Sequence, residues 1–350
     1  MKKLIFSSMF FLWSSLAIAE PYSIGAILPL SGDSALGGQA CLNGMLLAQR
    51  KLDATDKNNQ IKVISENNEG TPAKTVSAYK KLCTHDEIKA VVAWEDSAGL
   101  VLAPMTERDE ILLAVTGGDK SIVKNRKHAF LYWLMLDTET EAIAAEIRRL
   151  GYKKIARVVT QHPGTLFMKA ELDRLTKEEV SYVVDEEVLP ESRDFRSEIL
   201  KIKAQGDVDA VIAFLWYGQV GLFAKQKKAL GVSGTIVGSD IYEDETELKL
   251  AEGALEGAWF PQIADPLPTF KQEYEAAFPG ASIFSAGNCY DIVMLIAKAR
   301  EEKKDPSEYF ETVRNFSGAL GIVSTSGDHR FIFPLLIRGV YQGKFHTIHR

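Results

Sequence analysis

Apolar positions in the first third of the chain fall into short continuous runs separated by segments with helical spacing. Tyr22–Leu28 predicts a buried strand, and Cys41, Met45, Ala48 and Leu52 recur at spacings of four, three and four, as on one face of a helix. Further strands are predicted over 61–65, 90–94 and 111–115, with helices beginning at Thr71-Pro72 and running over 97–108. Regular alternation of strand and helix predicts a parallel sheet covered by helices on both faces.

The alternation starts again after residue 137. Helices are predicted over 138–150, 166–177, from Asp194 to about 205 and over 220–230, and strands over 155–160, 182–188, 210–214 and 235–237. The architecture repeats while the sequence does not, so the fold class is α/β with two doubly wound parallel-sheet lobes. Residues 130–136 are predicted to be a continuous strand from one lobe into the next. Strand crossovers of this kind allow the lobes to close as rigid bodies.

The amino terminus predicts export. Two lysines precede an apolar run over 4–16, and Ala17-Ile18-Ala19 matches a signal-peptidase site, so residues 1–19 are expected to be a signal peptide cleaved after Ala19. A membrane anchor is the alternative, but the apolar run is shorter than the ~20 residues that a spanning helix needs. The mature chain, from Glu20, is expected outside the cytoplasm.

Composition narrows the range of partners. Removal of Lys2 and Lys3 leaves 39 basic and 47 acidic side chains, and this acidic balance argues against nucleic acid or an anionic membrane as a partner. Cys41, Cys83 and Cys289 are odd in number, so at least one thiol stays unpaired, and their apolar helical surroundings favour three buried free thiols. Neither a metal site nor a cofactor is predicted.

Ligands of open parallel sheets bind beyond the carboxyl ends of the strands, where the loops enter helices. Ser97 and Asp96 follow the third strand; the amides of a helix N-terminus suit a carboxylate there, and a simple helix cap is the competing role. Gly117 follows the fourth strand and is either a close-approach position or a turn. Trp216 could cover an apolar group or belong to the core, and Asp240 could accept an ammonium or form a turn.

Motifs of the common enzyme classes are missing from the sequence. It contains no G-x-S-x-G, H-E-x-x-H or G-x-x-x-x-G-K-[ST] pattern, and its six histidines are scattered. We therefore expect a binding protein that is not an enzyme, with a secreted hydrolase as the rival interpretation.

Several short segments, in order and spacing, resemble the periplasmic leucine/isoleucine/valine-binding proteins of branched-chain amino-acid ABC transporters, which have the type I periplasmic-binding-protein fold. The segments are Ile24-Gly25-Ala26, Pro29-Leu30-Ser31-Gly32, Ala90-Val91-Val92 with Asp96-Ser97, Ala103-Pro104, Asp194-Phe195, Gly238-Ser239-Asp240, Glu256-Gly257 and Tyr290-Asp291. The resemblance covers the whole mature chain. It implies one lobe of residues 20–135 with about 264–330, and a second of 136–263 with about 331–350.

The resemblance also assigns ligand groups. Ser97 matches the serine that binds a ligand carboxylate, and Gly117 matches a backbone-carbonyl position. Trp216 matches an aromatic residue of the second lobe, and Asp240 matches the acid that accepts the ammonium.

Three positions depart from the family pattern. Asp119 stands where a threonine is expected, and an acid there would repel a ligand carboxylate. Leu36 and Pro163 replace aromatic residues.

The resemblance implies an extracytoplasmic, monomeric solute-binding protein. It would deliver a small ligand, an amino acid of the branched-chain or a related kind, to the permease of an ABC transporter by hinge closure. The alternative ligands are another small amine, an amide or an aromatic carboxylate.

Overall fold

The computed structural model describes residues 21–55, 60–85 and 88–349. The predicted signal peptide lies outside these residues. Within the described ranges, no helix is long and apolar enough to cross a membrane.

A five-stranded parallel sheet forms the first lobe. Its strands are β1 (Tyr22–Leu28), β2 (Ile61–Asn67), β3 (Ala90–Trp94), β4 (Leu112–Thr116) and β5 (Ala129–Leu131), and the helices between them are α1 (Ala35–Thr55), α2 (Pro72–His85) and α3 (Asp96–Arg108). The strand order is β2-β1-β3-β4-β5, and every neighbouring pair is parallel. The predicted alternation of strand and helix is confirmed here.

Helices cover both faces of this sheet. All five residues of β3 are buried, and successive side chains enter opposite cores. Val92 and Trp94 pack into the core that contains α1, while Val91 and Ala93 pack into the core of α2 and α3. Burial on both faces explains why the strands are continuously apolar rather than alternating.

The second lobe repeats the design. Its parallel strands are β6 (Lys154–Thr160), β7 (Ser181–Val188), β8 (Ala210–Phe214), β9 (Thr235–Val237) and β10 (Trp259–Ile263), and its helices are α4 (Leu136–Leu150), α5 (Pro163–Thr176), α6 (Arg196–Ala204), α7 (Val220–Ala229) and α8 (Glu245–Leu250). The two-lobed α/β fold class is therefore confirmed.

The last part of the chain contributes to both lobes. Its elements are α9 (Pro268–Ala277), α10 (Ala286–Glu301), α11 (Pro306–Thr312), β11 (Phe316–Gly318), β12 (Gly321–Thr325), β13 (Phe331–Ile332), β14 (Leu335–Tyr341) and β15 (Lys344–His349). Helix α10 packs against α1, and β11–β13 form a small antiparallel sheet beside β5. The hairpin β14–β15 pairs antiparallel with β10 and completes the order β15-β14-β10-β9-β8-β6-β7.

The strand predicted over 130–136 is only partly formed. Strand β5 ends at Leu131 and α4 begins at Leu136, so four buried residues between them take an irregular path. At one end of this path Tyr132 N donates to Val115 O of β4 at 2.8 Å, and at the other Leu136 N, in the first residue of α4, donates to Gly118 O at 3.1 Å. The apolar run reflects burial at the junction of the lobes rather than a place in a sheet.

The expectation of three free thiols is wrong. Cys41 on α1 and Cys289 on α10 form a disulfide, and both are fully buried. Cys83 is free. The two bonded cysteines are 248 residues apart, so only the packing of α10 on α1 reveals the pair.

Candidate functional site

A cavity of about 60 Å³ lies between the lobes at the carboxyl ends of their strands. Loops after β3 and β4 line it from the first lobe, and loops after β6, β8 and β9 from the second. Its lining residues are Trp94, Glu95, Asp96, Thr116, Gly117, Gly118, Trp133, Leu136, Gly164, Thr165, Met168, Trp216, Tyr217, Ser239, Asp240 and Ile241. A wider opening of about 330 Å³, to which the loop after β1 contributes, shares Glu95 and Trp216 with this cavity.

Glu95 occupies the turn between β3 and α3. Its φ of 79° is unusual for a residue with a side chain, and such strain is commonly kept at functional sites. Ser97 Oγ donates to Glu95 Oε2 at 3.4 Å, but Glu95 Oε1 has no partner although the residue is only 7% exposed. Burial raises the pKa of Glu95 to about 7, against the lowering effect of hydrogen bonds from Ser34 and Ser97.

Asp96, the first residue of α3, faces the loop after β4. Asp119 N donates to Asp96 Oδ1 at 2.9 Å. A Cβ at position 117 would lie 2.5 Å from the same oxygen, so this close approach requires glycine. Burial, together with the carboxyls of Asp119 and Asp240, raises the pKa of Asp96 to about 7, against the lowering effect of hydrogen bonds from the backbone of Asp119 and Gly118.

Asp240 connects the second lobe to the segment between the lobes. Trp133 Nε1 donates to Asp240 Oδ2, and Asp240 N donates to Glu139 Oε1 at 2.7 Å. Burial raises the pKa of Asp240 to about 6 and that of Glu139 well above its usual value. Glu139 is fully buried and its Oε2 has no hydrogen-bond partner, so a second carboxyl with an unsatisfied oxygen lies directly behind Asp240.

Aromatic rings form much of the remaining wall. Trp94 of the first lobe contacts Tyr217 of the second with ring centroids 5.6 Å apart, and Tyr217 contacts Trp216 at 5.2 Å. His162 stacks on Trp216 with ring centroids 3.8 Å apart. Burial lowers the pKa of His162 to about 4, so this imidazole is neutral at pH 7.

Contacts across the cleft show that the lobes are closed on each other. Trp94 meets Tyr217, and at the mouth Arg193 of the second lobe forms an ion pair with Asp33 of the first. The small volume of the cavity follows from this closure.

A larger cavity of about 200 Å³ lies on the other side of Trp133, beside β10 and α10. Two of its acids, Glu243 and Asp265, form ion pairs with Arg338. It lies at the carboxyl end of β10, but the strand ends that meet around the smaller cavity come from both lobes. We therefore place the candidate site in the smaller cavity.

Four of the residues predicted to form the site come together in the cavity: Asp96, Gly117, Trp216 and Asp240. The other four do not line it. Ser97 turns to Glu95, Asp119 Oδ1 accepts from Ser121 N at 2.8 Å as a cap, Leu36 is half-buried on α1, and Pro163 is exposed at the start of α5.

Sequence reasoning missed Glu95, Trp133, Trp94 and Tyr217. Trp94, Glu95 and Tyr217 lie at or next to the ends of predicted strands, which is the signal that selected Asp96 and Trp216. Trp133 lay inside a segment predicted to be a strand, and no local pattern marks it as a site residue.

Comparisons with known proteins agree on one family. A model described as periplasmic binding protein matches residues 21–337. The Leu/Ile/Val-binding protein BraC3 of Rhizobium johnstonii is 25% identical over 254 residues, covering 69% of this chain and 68% of that protein.

Two solved structures share the fold. The branched-chain amino acid transporter substrate-binding protein LivJ of Streptococcus pneumoniae, in complex with isoleucine, has a TM-score of 0.85 at 20% identity and covers 95% of this chain and 100% of its own. A solute-binding protein of an ABC transporter from R. palustris, in complex with benzoate, has a TM-score of 0.85 at 18% identity and covers 94% and 96%.

Proposed function

Because the chain belongs to the periplasmic binding protein family, we propose that it is an extracytoplasmic solute-binding protein that encloses a small ligand between its lobes and delivers it to the permease of an ABC transporter. The observation that carries the proposal is the cleft cavity, to which both lobes contribute side chains at their strand ends. A ligand that contacts both walls stabilises the closed arrangement relative to an open one.

For this closure we propose the lobe boundaries given by the sequence: 20–135 with about 264–330, and 136–263 with about 331–350. The packing of α10 on α1 and the pairing of β14 with β10 support this division. The hinge then includes the irregular segment from Tyr132 to Met135, which lies between the end of β5 and the start of α4.

The proposed location is the periplasm, after cleavage following Ala19. The buried disulfide between Cys41 and Cys289 supports it, because disulfides persist in oxidising compartments and are rare in the cytosol.

Two ligand classes follow from the relatives: an amino acid of the branched-chain or a related kind, and an aromatic carboxylate. The third class predicted from the sequence, a small amine, is supported by the carboxyls of Glu95, Asp96 and Asp240 in the cavity wall. We further propose that the protein is a monomer and does not transform its ligand. The family match supports the second part of this proposal, because the matching family model and the curated relative are both described as binding proteins.

The test begins with protein purified without added ligand. Small molecules released by denaturation are identified by mass spectrometry, and the refolded, ligand-free protein is titrated with them while small-angle X-ray scattering records its radius of gyration. We expect a decrease in radius on binding. An unchanged radius at saturation would contradict closure, and steady conversion of the ligand followed by NMR would show an enzyme instead.

A further inference from the structure

The ionisable side chains that line the cleft cavity carry one sign of charge. Glu95, Asp96 and Asp240 are in the wall, and none of the described lining residues is a lysine, arginine or histidine. The pKa values of these carboxyls are governed by burial, by other carboxyls and by hydrogen-bond donors, with no basic side chain among the causes. Glu139, directly behind Asp240, adds a further carboxyl. The chain therefore places four acids here with no basic side chain to balance them when they ionise.

Three polar atoms around the cavity are buried without a partner. Glu95 Oε1, Glu139 Oε2 and Ser239 Oγ make no hydrogen bond, and their residues are 7%, 0% and 2% exposed. Glu95 and Ser239 belong to the cavity wall itself. A buried polar atom without a hydrogen-bond partner is unfavourable, so Glu95 Oε1 and Ser239 Oγ indicate that a bound molecule supplies the missing partner.

The two threonine hydroxyls of the wall, which could bind a ligand carboxylate, are already engaged. Thr165 Oγ1 donates to Thr160 O at 2.6 Å, and Thr116 Oγ1 donates to Ala93 O at 3.3 Å. The start of α3, which suits an anion, is occupied by the chain's own Asp96, and Glu95 stands next to it. An incoming carboxylate would meet like charges and find few free side-chain donors.

The wall also suits an organic cation rather than a metal ion. Trp94, Trp133, Trp216 and Tyr217 present aromatic rings, which attract ammonium and guanidinium groups. No set of three or more His, Cys, Asp or Glu side chains within 21–55, 60–85 and 88–349 is arranged to hold a metal. The closed volume of about 60 Å³ is well below the roughly 150 Å³ of a cavity that binds benzene, so the enclosed group is small.

We infer that the ligand is a small organic cation without a carboxylate, an amine or amidinium, bound by Glu95, Asp96 and Asp240 between aromatic rings. This inference rests on the proposed function and names its ligand class. The donor hydrogens of the cation satisfy the unpartnered oxygen of Glu95, and its charge balances carboxyls that closure would otherwise bury uncompensated.

Matched compounds that differ in their carboxylate test this directly. Calorimetry at pH 7.5 on ligand-free full-length mature protein compares ethylamine with alanine, 2-methylbutylamine with isoleucine, and benzylamine with benzoate. We expect at least one amine to bind ten times more tightly than its counterpart, with a decrease in the radius of gyration. Tighter binding of alanine, isoleucine or benzoate than of the matching amine overturns the cation inference and leaves the proposed function intact. If none of the six binds and no small molecule is released on denaturation, both fail.

A pair of variants separates charge from fold. Glu95→Gln removes one carboxyl while keeping its shape, and should weaken binding of the best amine tenfold or more while improving that of its carboxylate counterpart. Asp207→Asn removes an exposed carboxyl on the loop before β8 and should change neither affinity. Circular dichroism confirms that both variants are folded, and an unchanged amine affinity in folded Glu95→Gln overturns the inference.

Discussion

Removal of the buried disulfide should lower the free energy of unfolding more than the loss of any single non-covalent contact described above. The bond joins residues 248 positions apart, so in the unfolded chain it closes a loop that spans most of the protein. The loop-entropy relation gives about 5.5 kcal/mol at 25 °C for a loop of this length, and measured losses for native disulfides are about 2–5 kcal/mol. For the double variant Cys41→Ala/Cys289→Ala we expect a loss of about 3–5 kcal/mol.

The assay is urea unfolding followed by tryptophan fluorescence and circular dichroism, with the free energy obtained by linear extrapolation. Cys83→Ala is the matched control, because this cysteine is free and only half-buried. Reductant added to the native wild-type protein should have little effect on its own, since both bonded cysteines are fully buried. A double variant within 1 kcal/mol of the control would refute the reasoning that the crosslink restricts the unfolded chain.

Three further changes probe the cleft. Asp240→Asn should weaken ligand binding about tenfold to a thousandfold, because loss of one partner of a desolvated ionic pair costs roughly 2–5 kcal/mol. If calorimetry gives this variant and the wild-type protein the same affinity, Asp240 is not part of the site. Arg193→Ala breaks the ion pair with Asp33 across the mouth and should speed ligand release, but less than tenfold, because an exposed pair contributes about 0–1 kcal/mol. Stopped-flow release rates should not change for Arg196→Ala, whose partner lies in the same lobe. Equal rates for both variants would contradict a contribution of the Arg193–Asp33 pair to closure. Closure buries Glu95 and raises its pKa to about 7, so the closed form binds more protons than the open form. The closed form therefore gains up to about 3 kcal/mol relative to the open form as the pH falls from 8 to below 4. Ligand-free protein should have a smaller radius of gyration at pH 5 than at pH 8, and a radius independent of pH would argue against this burial.

The order of strands and helices was predictable because it depends on local periodicity. Strands buried on both faces are continuously apolar, as in β3 and β8, and their predicted bounds agree with the structure. The hairpin β14–β15 was not predicted, and its exposed residues give β15 no strong apolar pattern.

The loops of the site were predictable for a topological reason, since parallel strands bring their carboxyl ends to one edge. Which side chains enter the cavity was not. Helix α3 begins at Asp96, and the positive φ of Glu95 determines the direction of the chain at that turn, so that Glu95 and Asp96 line the cavity while Ser97 does not.

The amino-acid sequence by itself thus determined the two-lobed α/β fold, the strand ends that line the candidate site, and the presence in that cavity of Asp96, Gly117, Trp216 and Asp240. Tertiary structure alone decided the pairing of Cys41 with Cys289 and the contact of Trp133 with Asp240, which are 248 and 107 residues apart. Local patterns record whether a residue is buried and in which element. They carry no record of which distant residue faces it, because that depends on how complete sheets and helices pack against each other.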